Sequence, residues 1–291
     1  MVKRRSSLPG GHHRYGNHRV RQDRRSSRNG TPMRRLLLAL LPLATILSAC
    51  TSTDYDLVRT ASIPPRFRDT DPQDFGGRTP HNHSIHGVDV SKWNGDIDWM
   101  KVKSSGVSFA FIKATEGKDR VDSRFPEYWP RARAAGIAYA PYHFYYFCSS
   151  ADAQADWFIA NVPKSAVHLP PVLDVEWNGE SKTCRYRPSP ETVRFEMKRF
   201  MDRLEAHYGK RPIIYTSVDF HRDNLVGAFN DYHFWVRSVA KHPKDIYVDR
   251  RWAFWQYTST GVIPGIEGHT DINAFAGSAK NWKKWVAAVS Q

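Results

Sequence analysis

Two acidic residues interrupt an apolar run, Pro170-Pro171-Val172-Leu173-Asp174-Val175-Glu176-Trp177. Charge in such a run is costly to bury unless it is paired or used. Read as a strand, the run projects Asp174 and Glu176 from one face and Leu173, Val175 and Trp177 from the other, with the two acidic Cα atoms roughly 6.5 Å apart. Carboxyls converging in a partly dry cleft separate their pKa values, so that one stays protonated and the other ionised. Cleavage of a glycosidic bond needs that division: one carboxyl protonates the leaving oxygen while another attacks or stabilises the anomeric carbon. By itself Asp-x-Glu also fits a solvated strand end or a Mg²⁺ or Ca²⁺ ligand pair. Two more acidic residues sit in strand-like contexts, Asp89 in HGVDVSKW and Asp271 in HTDINAF.

These residues need a scaffold that brings distant segments together. From His86 onward short apolar runs alternate with amphipathic stretches, which reads as βα units around a mainly parallel sheet. Eight runs qualify as strands, at 87–91, 107–114, 137–147, 170–177, 211–217, 233–238, 252–258 and 270–275. Helices are expected over 124–135, 152–160 and 191–208, the last with Ser189 as N-cap, Pro190 at the first position and Gly209 as terminator. The later strands crowd together and leave little room for helices. The expected fold is therefore α/β, an irregular TIM-like barrel of eight strands with fewer than eight helices. A doubly wound open sheet is the alternative, but no GxGxxG follows the first strand.

Aromatic residues cluster on or beside these strands, among them Trp93, Tyr142, Tyr145, Trp177, Tyr215, Trp235 and Trp255. Rings with nearby polar groups suit the apolar faces of sugars, and they also suit an ordinary core. Tyr142, Tyr145, Trp177, Tyr215, Trp235 and Gln256 are taken as the candidate substrate-binding residues.

The segment HGVDVSKWNGDIDWMKVKSSGVSFAFIKATEG, with PPVLDVEW, RPIIYTS, FWQYT and GHTDINAF in that order, resembles the glycoside hydrolase family 25 lysozymes, the Chalaropsis-type N-acetylmuramidases. The resemblance spans 86–275. It implies an irregular barrel of five α/β units with three further strands, and hydrolysis of the β-1,4 bond between N-acetylmuramic acid and N-acetylglucosamine in peptidoglycan. It implies that Glu176 is the general acid, and that Asp174 is either the nucleophile or the group orienting the substrate's acetamido oxygen. Asp89 and Asp271 would line the same pocket. Lys113 and Glu116 of KATEG match a further motif, where an ion pair or loop anchor competes with substrate contact. One departure stands out: relatives often follow the Trp-Val of the sixth strand with a small residue and an aromatic, whereas this chain has Arg237-Ser238. A barrel that binds peptidoglycan without turnover is the alternative function. No metal or other cofactor is called for.

The chain has 291 residues and a net charge of +14, which would suit a nucleic-acid binder. Divided along the chain, the charge is +10 in residues 1–35, −1 in 36–85 and +5 in 86–291, so most of it is a tail. From Met33 the sequence MRRLLLALLPLATILSAC has the layout of a secretory signal, with an apolar run too short to span a bilayer. Its Leu47-Ser48-Ala49-Cys50 ending resembles a bacterial lipobox, making Cys50 the lipidation site; an ordinary signal peptide with an unmodified Cys50 is the other reading.

Four regions follow. Residues 1–32 are a basic extension, either absent from the mature protein or a cytoplasmic arm able to contact phosphates. Residues 33–50 are the signal, 51–85 a flexible linker and 86–291 the catalytic barrel. The mature protein is expected to be an exported, membrane-anchored lipoprotein facing the periplasm or cell wall, a monomer that binds no nucleic acid. Thr51 after Cys50 favours the outer membrane in a Gram-negative host. In that oxidising setting Cys148 and Cys184 form an even pair available for a disulfide, with two free buried thiols as the alternative.

Overall fold

The computed structural model describes residues 67–290. The basic extension, the signal segment with Cys50, and the linker up to residue 66 lie outside the described residues.

In chain order the elements are β1 (Arg68–Asp69), β2 (His86–Val90), α1 (Trp99–Ser104), β3 (Val107–Glu116), β4 (Arg120–Val121), α2 (Phe125–Ala134), β5 (Ala138–Phe144), α3 (Ala151–Asn161) and β6 (Val172–Val175). They continue with α4 (Pro190–Tyr208), β7 (Ile213–Thr216), α5 (Val218–Asn224), β8 (Phe234–Arg237), α6 (Pro243–Ile246), β9 (Phe254–Val262), β10 (Thr270–Phe275) and α7 (Ala279–Val289). Eight strands close in the order β9-β10-β2-β3-β5-β6-β7-β8, with β8 pairing β9 to complete the ring. Every barrel pair is parallel except the two made by β10, which runs antiparallel to β2 and β9. The irregular α/β barrel expected from the sequence is thus present, with all eight of its strands.

Alternation along each strand divides the core into two layers. Outward residues such as Val88, Ile112, Leu173, Val175, Ile214 and Val236 pack beneath the helices. Inward residues Phe109, Phe111, Ala140, Val172, Ile213, Trp235 and Phe254 fill the barrel, joined by Trp282 of α7. On β2 the inward position facing Phe109 has to be Gly87, because a Cβ there would lie 2.4 Å from the Phe109 ring.

Helix α4 shows why the local sequence folds as it does. Ser189 Oγ accepts from the Thr192 backbone N–H, Pro190 opens the first turn, and Gly209 ends the helix at φ 69°. Its Val193, Met197, Phe200, Leu204 and Tyr208 form one buried stripe against the barrel, each side chain contributing about 1.5–3 kcal/mol by leaving water.

The linker boundary needs correction. Residues 67–85 are held on the barrel rather than free: β1 pairs with Val262 and Gly261 of β9, Phe75 is buried against Trp255, and Arg78 makes a two-pronged ion pair with Asp245 of α6. Backbone pairing, one aromatic anchor and one ion pair do this with little apolar periodicity, so a hydropathy pattern does not reveal it. Among the described residues no helix is long and apolar enough to cross a membrane.

Candidate active site

The parallel strands all end at one mouth of the barrel, and β10 begins there. Asp89 on β2 and Asp271 on β10 face each other in register across the antiparallel pair. Three strands further round from β2, on β6, Asp174 is in register with Phe144 of β5 and Tyr215 of β7. Glu176 follows two residues on, with the same inward parity. The four carboxylates that the sequence singles out therefore converge on one end of the barrel.

Polar side chains fix this end. Asp89 Oδ2 accepts from Gln256 Nε2 at 3.0 Å and from Asn273 Nδ2 at 2.8 Å. Gln256 Oε1 accepts in turn from the Tyr215 hydroxyl at 3.0 Å, and Asn273 Oδ1 accepts from Trp235 Nε1 at 2.7 Å. These amides leave Asp89 with two donors in a buried place, which favours its ionised form. Asp174 has the opposite environment: its Oδ1 is buried with no hydrogen-bond partner among the described residues.

The electrostatics follow from burial. Desolvation pushes Asp89 up to about 6, held back by the Asn273 and Gln256 hydrogen bonds. Asp271 rises to about 8, through burial first and then the charge of Asp89. Burial and then Glu176 push Asp174 well above the ordinary carboxylate range. Glu176 is also raised by burial, with Arg237 opposing the rise. Burial thus favours the protonated form of both Asp174 and Glu176. The set contains carboxyls that hold a proton near neutral pH beside one, Asp89, that has released it.

Of the six aromatic and amide candidates, Tyr142, Tyr215, Trp235 and Gln256 lie on the inward face at this end. Two are corrected by the structure. Tyr145 points outward and is 1% exposed, packed on Phe200 of α4 with its hydroxyl donating to Glu196. Trp177 also turns away from the carboxylates, packing on Phe147 and Phe220 while its Nε1 donates to Asp223 at 2.8 Å. Parity is the reason in both cases: Tyr145 is three residues from Tyr142, and Trp177 is one from Glu176.

Lys113 and Glu116 form an ion pair at 2.7 Å, and Tyr146 donates to the other Glu116 oxygen, so the loop-anchoring reading describes them. Cys148 and Cys184 are bonded, with Cα atoms 5.8 Å apart, and tie the loop after β5 to the loop after β6 beside Glu176. At the rim, Ser91 caps the turn after β2 and leaves Trp93 83% exposed. Asn273 was not singled out by sequence; its place two residues after Asp271, with the same inward parity, is the signal that marks it. Among the described residues no group of three or more His, Cys, Asp and Glu could hold a metal ion.

A closed α/β barrel with paired carboxyls at the carboxyl ends of its strands has the layout of a barrel glycoside hydrolase. Residues 88–266 match the family Glycosyl hydrolases family 25, and the chain belongs to it. It is 38% identical over 207 residues to lysozyme M1 of Streptomyces globisporus, covering 67% of this chain and 69% of the relative. It is 35% identical over 222 residues to the uncharacterised protein YegX of Escherichia coli K12, covering 75% of this chain and 79% of that protein. The solved family 25 glycosyl hydrolase from Bacillus anthracis superposes with a TM-score of 0.64 at 36% identity, covering 70% of this chain and 94% of that one.

Proposed function

We propose that the protein is an N-acetylmuramidase, hydrolysing the β-1,4 bond between N-acetylmuramic acid and N-acetylglucosamine in peptidoglycan. The observation carrying this is the convergence of Asp89, Asp174, Glu176 and Asp271 at one barrel mouth in a family 25 chain. The name lysozyme borne by the Streptomyces globisporus relative supports the choice of bond.

In this reading Glu176 protonates the glycosidic oxygen. Asp174 engages the acetamido group of the muramic acid at the anomeric side, a role that suits its unpartnered buried oxygen. An N–H donated to Asp174 favours its ionised form, leaving Glu176 as the protonated member. Ionised Asp89, held by Gln256 and Asn273, stabilises the positive charge that develops on the sugar. Tyr142, Tyr215 and Trp235 give the pocket its aromatic wall.

The test is Glu176→Gln. Release of reducing sugar from purified peptidoglycan should fall by about 10²–10⁴-fold, the usual contribution of a general acid, with folding intact, and mass spectrometry of the wild-type products should show reducing muramic acid ends. Undiminished activity would overturn the assignment.

The protein also reads as an exported lipoprotein anchored through Cys50, supported by the basic, apolar and small-residue order of 33–50. The anchor leaves the mature chain without the +10 tail and favours anionic cell wall over nucleic acid as its partner. Mass spectrometry of the mature N-terminus finding an unmodified Cys50 would remove it.

A further inference from the structure

Arg237 opens the Arg237-Ser238 pair at the end of the sixth barrel strand. It lies on β8 two residues after Trp235, whose indole faces inward to Asn273, so the guanidinium enters the same end of the barrel as the carboxylates. In register it sits beside Gln256, the amide that donates to Asp89. Its own carbonyl accepts from the Tyr247 hydroxyl at 2.7 Å, which fixes the strand end that carries it.

The charges facing Glu176 come from every side. β2 supplies Asp89, β6 Asp174 and β10 Asp271; α5 supplies Asp219. Tyr215 of β7 and Tyr247 face it as neutral phenols, with Tyr142 of β5 beside the aspartates. Against this acidic set stand two cations, Lys113 on β3 and Arg237 on β8. Lys113 is already committed to Glu116 at 2.7 Å. Arg237 has no carboxylate within ion-pair distance among the described residues, and its charge acts on Glu176, Asp89 and Asp271 alike.

We propose that Arg237 is a positioning residue for the reaction: its guanidinium is the counter-charge that sets which of the pocket carboxyls are ionised when substrate arrives. The inference rests on the muramidase reading and deepens it. A cation on the inner wall favours the ionised form of each neighbouring carboxyl. It keeps Asp89 charged to lower pH, and it keeps Glu176 from binding its proton too tightly to give it up. Removing the charge has two linked consequences. The ionised Asp89 is reached only at higher pH, which raises the acid limb of the rate profile. Glu176 keeps its proton to higher pH, which raises the alkaline limb, while as a weaker acid it transfers that proton more slowly.

The experiment compares wild type with Arg237→Met, Arg237→Gln and Arg237→Lys, measuring kcat/KM on purified peptidoglycan across pH, with thermal melting of each variant as the folding control. Both neutral variants should move both limbs to higher pH by about one unit, with a lower plateau, and Arg237→Lys should restore the wild-type limbs. A uniform loss with unmoved limbs, or a lysine variant that behaves like the neutral ones, would overturn the proposal, because either result assigns Arg237 to shape or substrate contact. Following the Glu176 side-chain carboxyl carbon by NMR across pH, in wild type and the neutral variants, reads the same displacement without turnover. An inactive wild type would therefore defeat the muramidase reading, and an undisplaced Glu176 titration would defeat the role of Arg237.

Discussion

The two halves of the barrel interior are built from the same strands and the same alternation, yet they are opposites. Towards the amino ends of the parallel strands, Phe109, Phe111 and Phe254 meet with ring centroids 5.1–5.3 Å apart, and Trp282 closes on Phe109 at 5.3 Å. Towards the carboxyl ends, the inward positions hold Asp89, Asp174, Arg237, Gln256 and Asp271. One half gains free energy by removing apolar surface from water; the other spends it on desolvating carboxyls whose form water would otherwise stabilise. The lesson is that the filled half stabilises a barrel that tolerates an unfavourable half, and the unfavourable half is where proton transfer is possible.

Breaking the filled half should therefore cost stability and spare chemistry. Phe109→Ala removes a fully buried ring that packs over Gly87 and against three other aromatic residues, and the expected loss is about 3–5 kcal/mol. Thermal melting would show a fall in Tm on the order of 10 °C, while kcat/KM at 25 °C, per folded molecule, should stay within a factor of about two. Glu176→Gln is the mirror image, inactive but at least as stable as wild type, because an amide is easier to bury than a carboxyl. Finding activity and stability lost together in Phe109→Ala would show that the halves are not separable.

Asp271 sharpens the same contrast through pH. Its folded value of about 8 lies above the ordinary 3.8, so the folded state keeps a proton that the unfolded chain has already lost. Its contribution is therefore full below about pH 4 and declines as pH rises towards 8. Between pH 5 and pH 8 this one group accounts for a decline on the order of 2–4 kcal/mol. Asp271→Asn, which carries no titrating proton, should flatten that decline in denaturant titrations run across pH and should be more stable than wild type at pH 8. An unchanged slope would mean that Asp271 is ionised in the folded protein.

Much of this was readable in the sequence because strands impose a period of two. Charges inside apolar runs marked Asp89, Asp174, Glu176 and Asp271, and the runs themselves marked eight strands. Helix α4 was legible from Ser189, Pro190 and Gly209, which carry the physics of its two ends. The segment from Phe67 to Ile85 was not legible, since a two-residue strand and an ion pair between Arg78 and Asp245, 167 residues apart, leave no local pattern. Helices α5 and α6 are seven and four residues long, too short for a helical period to stand out. Asn273 is marked in the sequence only by its parity with Asp271, because the role of an amide in a strand rests on a hydrogen bond to another strand, here to Asp89. The sequence pattern placed Arg237 in the sixth strand, but its importance depends on barrel closure, which alone brings β8 round to face β2 and β10.

Tyr145 gives the smallest effect and the finest test of the inside–outside division. Its hydroxyl donates to Glu196 at 3.3 Å, and Glu196 also accepts from the Ala151 backbone N–H at 2.7 Å, so the carboxylate keeps a partner when the phenol is removed. Tyr145→Phe should cost about 0.5–1.5 kcal/mol in denaturant unfolding and leave kcat/KM unchanged. Tyr215→Phe, at an inward position, removes the donor that orients Gln256 towards Asp89; it should lower kcat/KM and, by leaving the buried Gln256 Oε1 without that donor, cost about 1–3 kcal/mol. If Tyr145→Phe instead depressed kcat/KM at unchanged stability, the hydroxyl would have to reach substrate, and strand parity would have failed as the rule that separates the site from its support.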